Sequence, residues 1–168
     1  MNEELREKIV RLALLQHNKK YVHGKNGPDT FDCAGLVWHV YKELMDVNVY
    51  KDGIGISTTT KIMTNPLGEL VLYDEASEDK DLSIIKPGDI LLFHRQSLDD
   101  HEPKPDNKYP GHCGIYIGEG KFIHALRKSG KVVISDFNRK EYWKKVLVGY
   151  KNIVDKEKTI KRWLECEV

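Results

Sequence analysis

Two apolar segments joined by Gly118-Glu119-Gly120 restrict the fold of this chain more than any other stretch. With those three residues as the loop, Ile117 pairs with Lys121, Tyr116 with Phe122, Ile115 with Ile123 and Gly114 with His124. Cys113, Ile115, Ile117, Ile123 and Ala125 then share one apolar face, while His112, Gly114, Tyr116, Phe122 and His124 share the other. A two-residue turn would send the two histidines to opposite faces, so the clean apolar segregation selects the three-residue loop. The hairpin demands an antiparallel sheet with one face against a core. It also sets two imidazoles diagonally across from each other, with Gly114 leaving space opposite His124.

Further short apolar runs extend the sheet. Lys86-Pro87-Gly88-Asp89 is a turn that launches Ile90-Leu91-Leu92-Phe93, and Val132-Val133-Ile134 and Val146-Leu147-Val148-Gly149-Tyr150 continue the meander. Helices precede it. Leu5, Ile9, Leu12 and Leu15 or Gln16 recur at helical spacing over residues 3–16, and Leu36, Val37, Val40, Tyr41 and Leu44 do so over about 33–45. Ser57 can cap a short helix reaching about Met63. The charged run 74–82 reads as a solvated loop, residues 95–110 as a long exposed loop, and 155–166 as a terminal helix. The fold class is α+β, N-terminal helices on an antiparallel meander.

The chemistry centres on Cys33. Asn26-Gly27-Pro28-Asp29 reads as a turn and Asp32 as a helix cap, so Cys33 falls in the first turn of a helix. There the free N–H groups and the positive end of the dipole favour a thiolate. A thiol, one histidine as base and a second polar group orienting that base make up the apparatus of covalent acyl transfer. Cys33, His112 and His124 are also zinc-ligand types. A nucleophile at a helix start accounts for Asp32 and Tyr21 as well, so neither metal nor cofactor is expected. His101 among Asp99, Asp100 and Glu102 reads as part of a solvated loop.

At 168 residues the chain suits one domain. Its 27 basic and 26 acidic residues nearly cancel, which gives nucleic acid no electrostatic purchase. Three cysteines without a CxxC pair argue for free thiols. No stretch approaches a membrane span and Met1-Asn2-Glu3-Glu4-Leu5-Arg6 does not open an export signal. The expectation is a protein that is cytoplasmic as synthesised, or exported by a dedicated route or by phage-type lysis. No oligomeric state follows.

Three blocks occur in order: Tyr21-Val22-His23-Gly24 through Phe31-Asp32-Cys33-Ala34-Gly35-Leu36; Lys86-Pro87-Gly88-Asp89-Ile90-Leu91-Leu92-Phe93; and Gly111-His112-Cys113-Gly114-Ile115-Tyr116-Ile117-Gly118 with Phe122-Ile123-His124-Ala125. In these blocks the chain resembles the NlpC/p60 family of bacterial cell-wall cysteine endopeptidases, over about residues 5–150. The resemblance implies a papain-like α+β fold and a single catalytic domain spanning 1–168. It implies Cys33 as nucleophile, His112 as general base, His124 as the group orienting it, and Tyr21 and Asp32 in the substrate pocket. The implied substrate is a peptidoglycan stem peptide, cut between D-γ-glutamyl and a diamino acid. An amidase or acyltransferase acting on another amide, or a non-catalytic module binding wall fragments, is the alternative. Two positions depart from the family pattern: Ala34, where serine is usual, and Cys113, where a small aliphatic is usual and which reads here as apolar filler. The 95–110 loop is longer than the family implies.

Overall fold

The computed structural model describes residues 2–50, 58–74, 77, 79–94 and 110–155. In chain order these form α1 (Asn2–Leu14), β1 (Lys20–Tyr21), β2 (Thr30–Phe31), α2 (Cys33–Met45), α3 (Thr58–Thr64), β3 (Glu69–Leu72) and β4 (Ile90–Phe93). There follow β5 (His112–Gly118), β6 (Lys121–Leu126), β7 (Lys131–Asp136), α4 (Glu141–Val146) and β8 (Leu147–Asn152). The strands make one sheet in the order β2-β1-β7-β6-β5-β4-β8-β3, antiparallel except for the β1–β2 pair. This is an α+β architecture. The expected Ser57 cap, the 95–109 part of the long loop, His101 and the helix expected at the C-terminus lie outside the described residues.

Alternation along the strands divides the interior in two. Cys113, Ile115, Ile123, Ala125, Ile90 and Leu92 face Leu5, Ile9, Leu36, Val37 and Val40 of α1 and α2. On the opposite face Leu91, Phe93, Tyr116 and Phe122 pack with Phe137 and with Trp143 of α4. Burying one such aliphatic or aromatic side chain contributes about 1.5–3 kcal/mol, which is why a one-residue slip of register would be ruinous. At the end of α1 it is Gln16, not Leu15, that turns inward, 4% against 73% exposed. The helix stops at Leu14, so helical spacing no longer governs the next two residues.

The hairpin reaches the expected faces by an unexpected route. Tyr116 pairs with Phe122 and Ile115 with Ile123, but Gly118, not Ile117, opposes Lys121. Glu119 and Gly120 have φ of 54° and 76°, both positive as a two-residue hairpin turn requires. Ile117 is therefore an extra residue in β5, a bulge that returns the histidines to one face. The sheet order also departs from a plain meander: β8 crosses to the far side of β4 and there receives β3. Neither β3 nor α4 is evident from the sequence pattern.

The Lys86–Asp89 turn ties these parts together. The Asp89 carboxylate accepts from the Lys86 N–H at 3.0 Å and from Arg6 Nη1 at 2.8 Å, while Arg6 also donates to Pro87 O at 2.9 Å. The Tyr41 hydroxyl of α2 donates to Gly88 O at 2.5 Å, and Gly88 N–H to Tyr116 O at 2.7 Å. Helices α1 and α2, strand β5 and the start of β4 thus meet at one turn, which fixes where α2 begins relative to β5.

Candidate active site

Cys33 opens α2, and the cap that starts the helix also holds the arm beside it. Asp32 Oδ1 accepts from Gly35 N–H at 2.7 Å and Oδ2 from Gly24 N–H at 2.9 Å, while its own N–H donates to Lys25 O at 2.8 Å. A Cβ on Gly35 would come within 2.1 Å of Lys25 O, so only glycine lets the 24–27 loop lie against the first turn. Asp32 is thus engaged by the chain itself. Burial and the adjacent Cys33 raise its pKa, and the two N–H groups oppose them.

His112 opens β5, which packs against α2. Its Nε2 lies 2.7 Å from Nδ1 of His124 on β6, and His124 Nε2 lies 2.8 Å from the Ser135 hydroxyl on β7. Three neighbouring strands therefore supply a continuous polar line. Gly114 leaves its space opposite His124, since a Cβ there would sit 3.0 Å from the His124 Cβ. Around the imidazoles stand aromatic rings: Trp143 at 4.9 Å and Phe122 at 4.7 Å from His124, Phe93 at 5.8 Å from His112. Burial among them, with His112 close by, drives the His124 pKa well below the usual imidazole value. His124 is neutral at pH 7 and acts through hydrogen bonds, not charge.

The Cys33 sulfur borders both His112 and its chain neighbour Cys113. A hydrogen bond with the Cys113 thiol, opposed by burial and helped by the hydrogen bond and charge of His112, lowers its pKa well below that of an ordinary thiol. Cys33 is half-buried and Cys113 fully buried. Tyr21 packs half-buried at the same place, its hydroxyl pushed up to about 12 by burial and by Cys33 and Asp32. It stays a neutral donor at neutral pH.

All five residues singled out in the sequence are thus in one neighbourhood. Ser135 and Trp143 join them without sequence warning, because only the β6–β7 register and α4 bring them in. The ring nitrogens that His112 and His124 turn toward each other leave no shared metal position between them. Among the described residues no group of three or more His, Cys, Asp or Glu is arranged to hold a metal ion.

A thiol at the start of a helix, set against a sheet whose neighbouring strands carry two linked imidazoles, is the layout of the papain-like α+β class. The NlpC/P60 family profile matches residues 18–152, and the chain belongs to that family. It is 28% identical over 149 residues to murein DD-endopeptidase MepH of Escherichia coli (strain K12), covering 88% of this chain and 46% of that protein. It is 26% identical over 140 residues to the gamma-DL-glutamyl hydrolase of Bacillus subtilis (strain 168), covering 83% and 27%. Among solved structures, NlpC2 from Trichomonas vaginalis superposes with a TM-score of 0.65 at 29% identity, covering 89% of this chain and 46% of that one. The chain therefore spans less than half the length of these relatives. Among the described residues no helix is long and apolar enough to cross a membrane.

Proposed function

We propose that the chain is a cysteine peptidase that hydrolyses peptidoglycan stem peptides at the amide between D-γ-glutamyl and a diamino acid. The observation that carries this reading is the line from the Cys33 thiol through His112 and His124 to Ser135, in a family whose relatives are named endopeptidases and hydrolases. The bond assignment is supported by the family resemblance and by the relative named a gamma-DL-glutamyl hydrolase.

In this reading His112 faces Cys33 with Nδ1, donates from Nε2 to His124 Nδ1, and His124 donates from Nε2 to Ser135 Oγ. Each ring is held in one tautomer by the next group. The Cys33 thiolate attacks the scissile carbonyl, and the Cys33 backbone N–H, which lacks an acceptor within the helix, stabilises the oxyanion. His112 protonates the departing amine, leaving a thioester on Cys33. It then takes a proton from water, which attacks the thioester and releases the acid. Tyr21 and the Asp32-clamped loop border the substrate peptide, with Tyr21 donating its hydroxyl.

Mass spectrometry of defined muropeptides, free and cross-linked, incubated with wild type and with Cys33→Ala tests this directly. The expected result is one cleavage, at the D-γ-glutamyl amide, that is absent in Cys33→Ala. Cleavage at a cross-link instead would keep the peptidase and overturn the bond assignment. No cleavage by wild type, with iodoacetamide labelling Cys33 no faster than Cys166, would overturn both.

A further inference from the structure

We propose that Cys113 is a resolving thiol for Cys33, so that hydroperoxides convert the pair reversibly into a disulfide that closes the site. In the peptidase reading Cys113 has no chemical step. Its placement nevertheless differs from that of an ordinary core filler. It follows His112 on β5, the strand on which α2 packs, belongs to the core cluster against which Cys33 packs, and accepts a hydrogen bond from Thr59 Oγ1 of α3 at 3.8 Å, while its thiol is electrostatically linked to that of Cys33. Cys33 is half-buried, whereas Cys113 is 0% exposed. A reagent from solvent therefore meets Cys33 first, and a buried thiol waits behind it.

The chemistry balances in two steps. The Cys33 thiolate attacks the peroxide oxygen, giving Cys33 sulfenic acid and releasing an alkoxide or hydroxide that is protonated by the His112 imidazolium. The Cys113 sulfur then displaces the sulfenic oxygen, which leaves as water with the Cys113 proton. Overall two thiols lose two electrons to one hydroperoxide, which becomes an alcohol, or water when the oxidant is hydrogen peroxide. The held-down pKa of Cys33 favours the first step, and the raised pKa of Cys113 keeps that thiol protonated and unreactive until the sulfenic acid forms. Without Cys113, the sulfenic acid proceeds to sulfinic acid, which ordinary thiols do not reverse.

The inference rests on an activated Cys33, not on which amide is cut, so its readout is thiol chemistry. Wild type, Cys113→Ala and Cys113→Val are titrated with hydrogen peroxide, alkylated under denaturing conditions and digested with trypsin without reductant. Cys33, Cys113 and Cys166 then fall in separate peptides, 26–42, 109–121 and 163–168. The expected wild-type product is peptide 26–42 joined to 109–121, short of two hydrogens, with dithiothreitol restoring both free thiols. In the variants Cys33 should gain two oxygens and resist dithiothreitol. Cys33 sulfinic acid in wild type with Cys113 still alkylatable, or Cys33 joined to peptide 163–168, would overturn the proposal. The wild-type digest decides by itself if neither variant folds. A protein that forms this disulfide yet cleaves no muropeptide would retain the inference and lose the peptidase reading.

Discussion

Ser135 is a serine among apolar strand residues whose hydroxyl sits 2.8 Å from His124 Nε2. Its loss leaves a buried imidazole nitrogen without its partner and frees the ring to turn. A hydrogen bond of this kind is worth about 1.4 kcal/mol, or roughly tenfold in rate. Ser135→Ala should therefore lower kcat about tenfold with KM little changed, and Ser135→Thr should restore it; steady-state kinetics on a stem peptide reads both. An unchanged kcat would remove Ser135 from the line. The cysteine and both histidines were legible as candidates because each residue type announces its chemistry. Ser135 was not, since a hydroxyl in a strand acquires meaning only from the neighbour that register brings to it.

The first turn of α2 and the 24–27 loop occupy space that one methyl group would contest, the Gly35 Cβ position lying 2.1 Å from a backbone oxygen. Gly35→Ala must push the loop away or spoil the Asp32 cap. Such overpacking costs about 1–3 kcal/mol, roughly 3–10 °C in Tm for a chain of this size. The expected outcome is that loss, seen by calorimetry, together with a raised KM as the arm bearing Tyr21 moves. An unaltered Tm would mean that the loop yields freely. Elements of this kind differ in how openly the sequence declares them. α1, α2, β4 and the β5–β6 faces followed from periodicity and turn residues over long enough windows. The Ile117 bulge, the four-residue β3 and the six-residue α4 did not, because short elements are stabilised by distant partners and leave little local pattern.

Across the molecule, one buried cation reports on the whole fold. Lys151 of β8 is 1% exposed and donates from Nζ to Ile62 O at 2.7 Å and to Asn65 O, holding the end of α3 against the sheet. Burial lowers its pKa to about 8 from 10.5. Below pH 8 both folded and unfolded chains carry the proton, and the folded state bears the full desolvation cost. Between about 8 and 10.5 the unfolded chain binds more proton, so this group's contribution to stability rises with pH, by at most about 1.4 kcal/mol per unit. Urea unfolding at pH 7, 8, 9 and 10 should show wild type gaining on Lys151→Met through that window. A constant difference would place the proton elsewhere.

The sheet order has one more consequence, for the chain during its synthesis. Besides its local pairing with β2, β1 pairs with β7, so Lys20 meets its second partner only at Lys131, and Cys33 meets His112 across 78 intervening positions. Contacts this distant in sequence form late. A nascent chain emerging from the ribosome would carry Cys33 early but could not assemble the line to Ser135 until nearly the whole domain had appeared. On the peptidase reading, a wall-degrading enzyme so wired is harmless to its maker until this domain has been almost wholly synthesised.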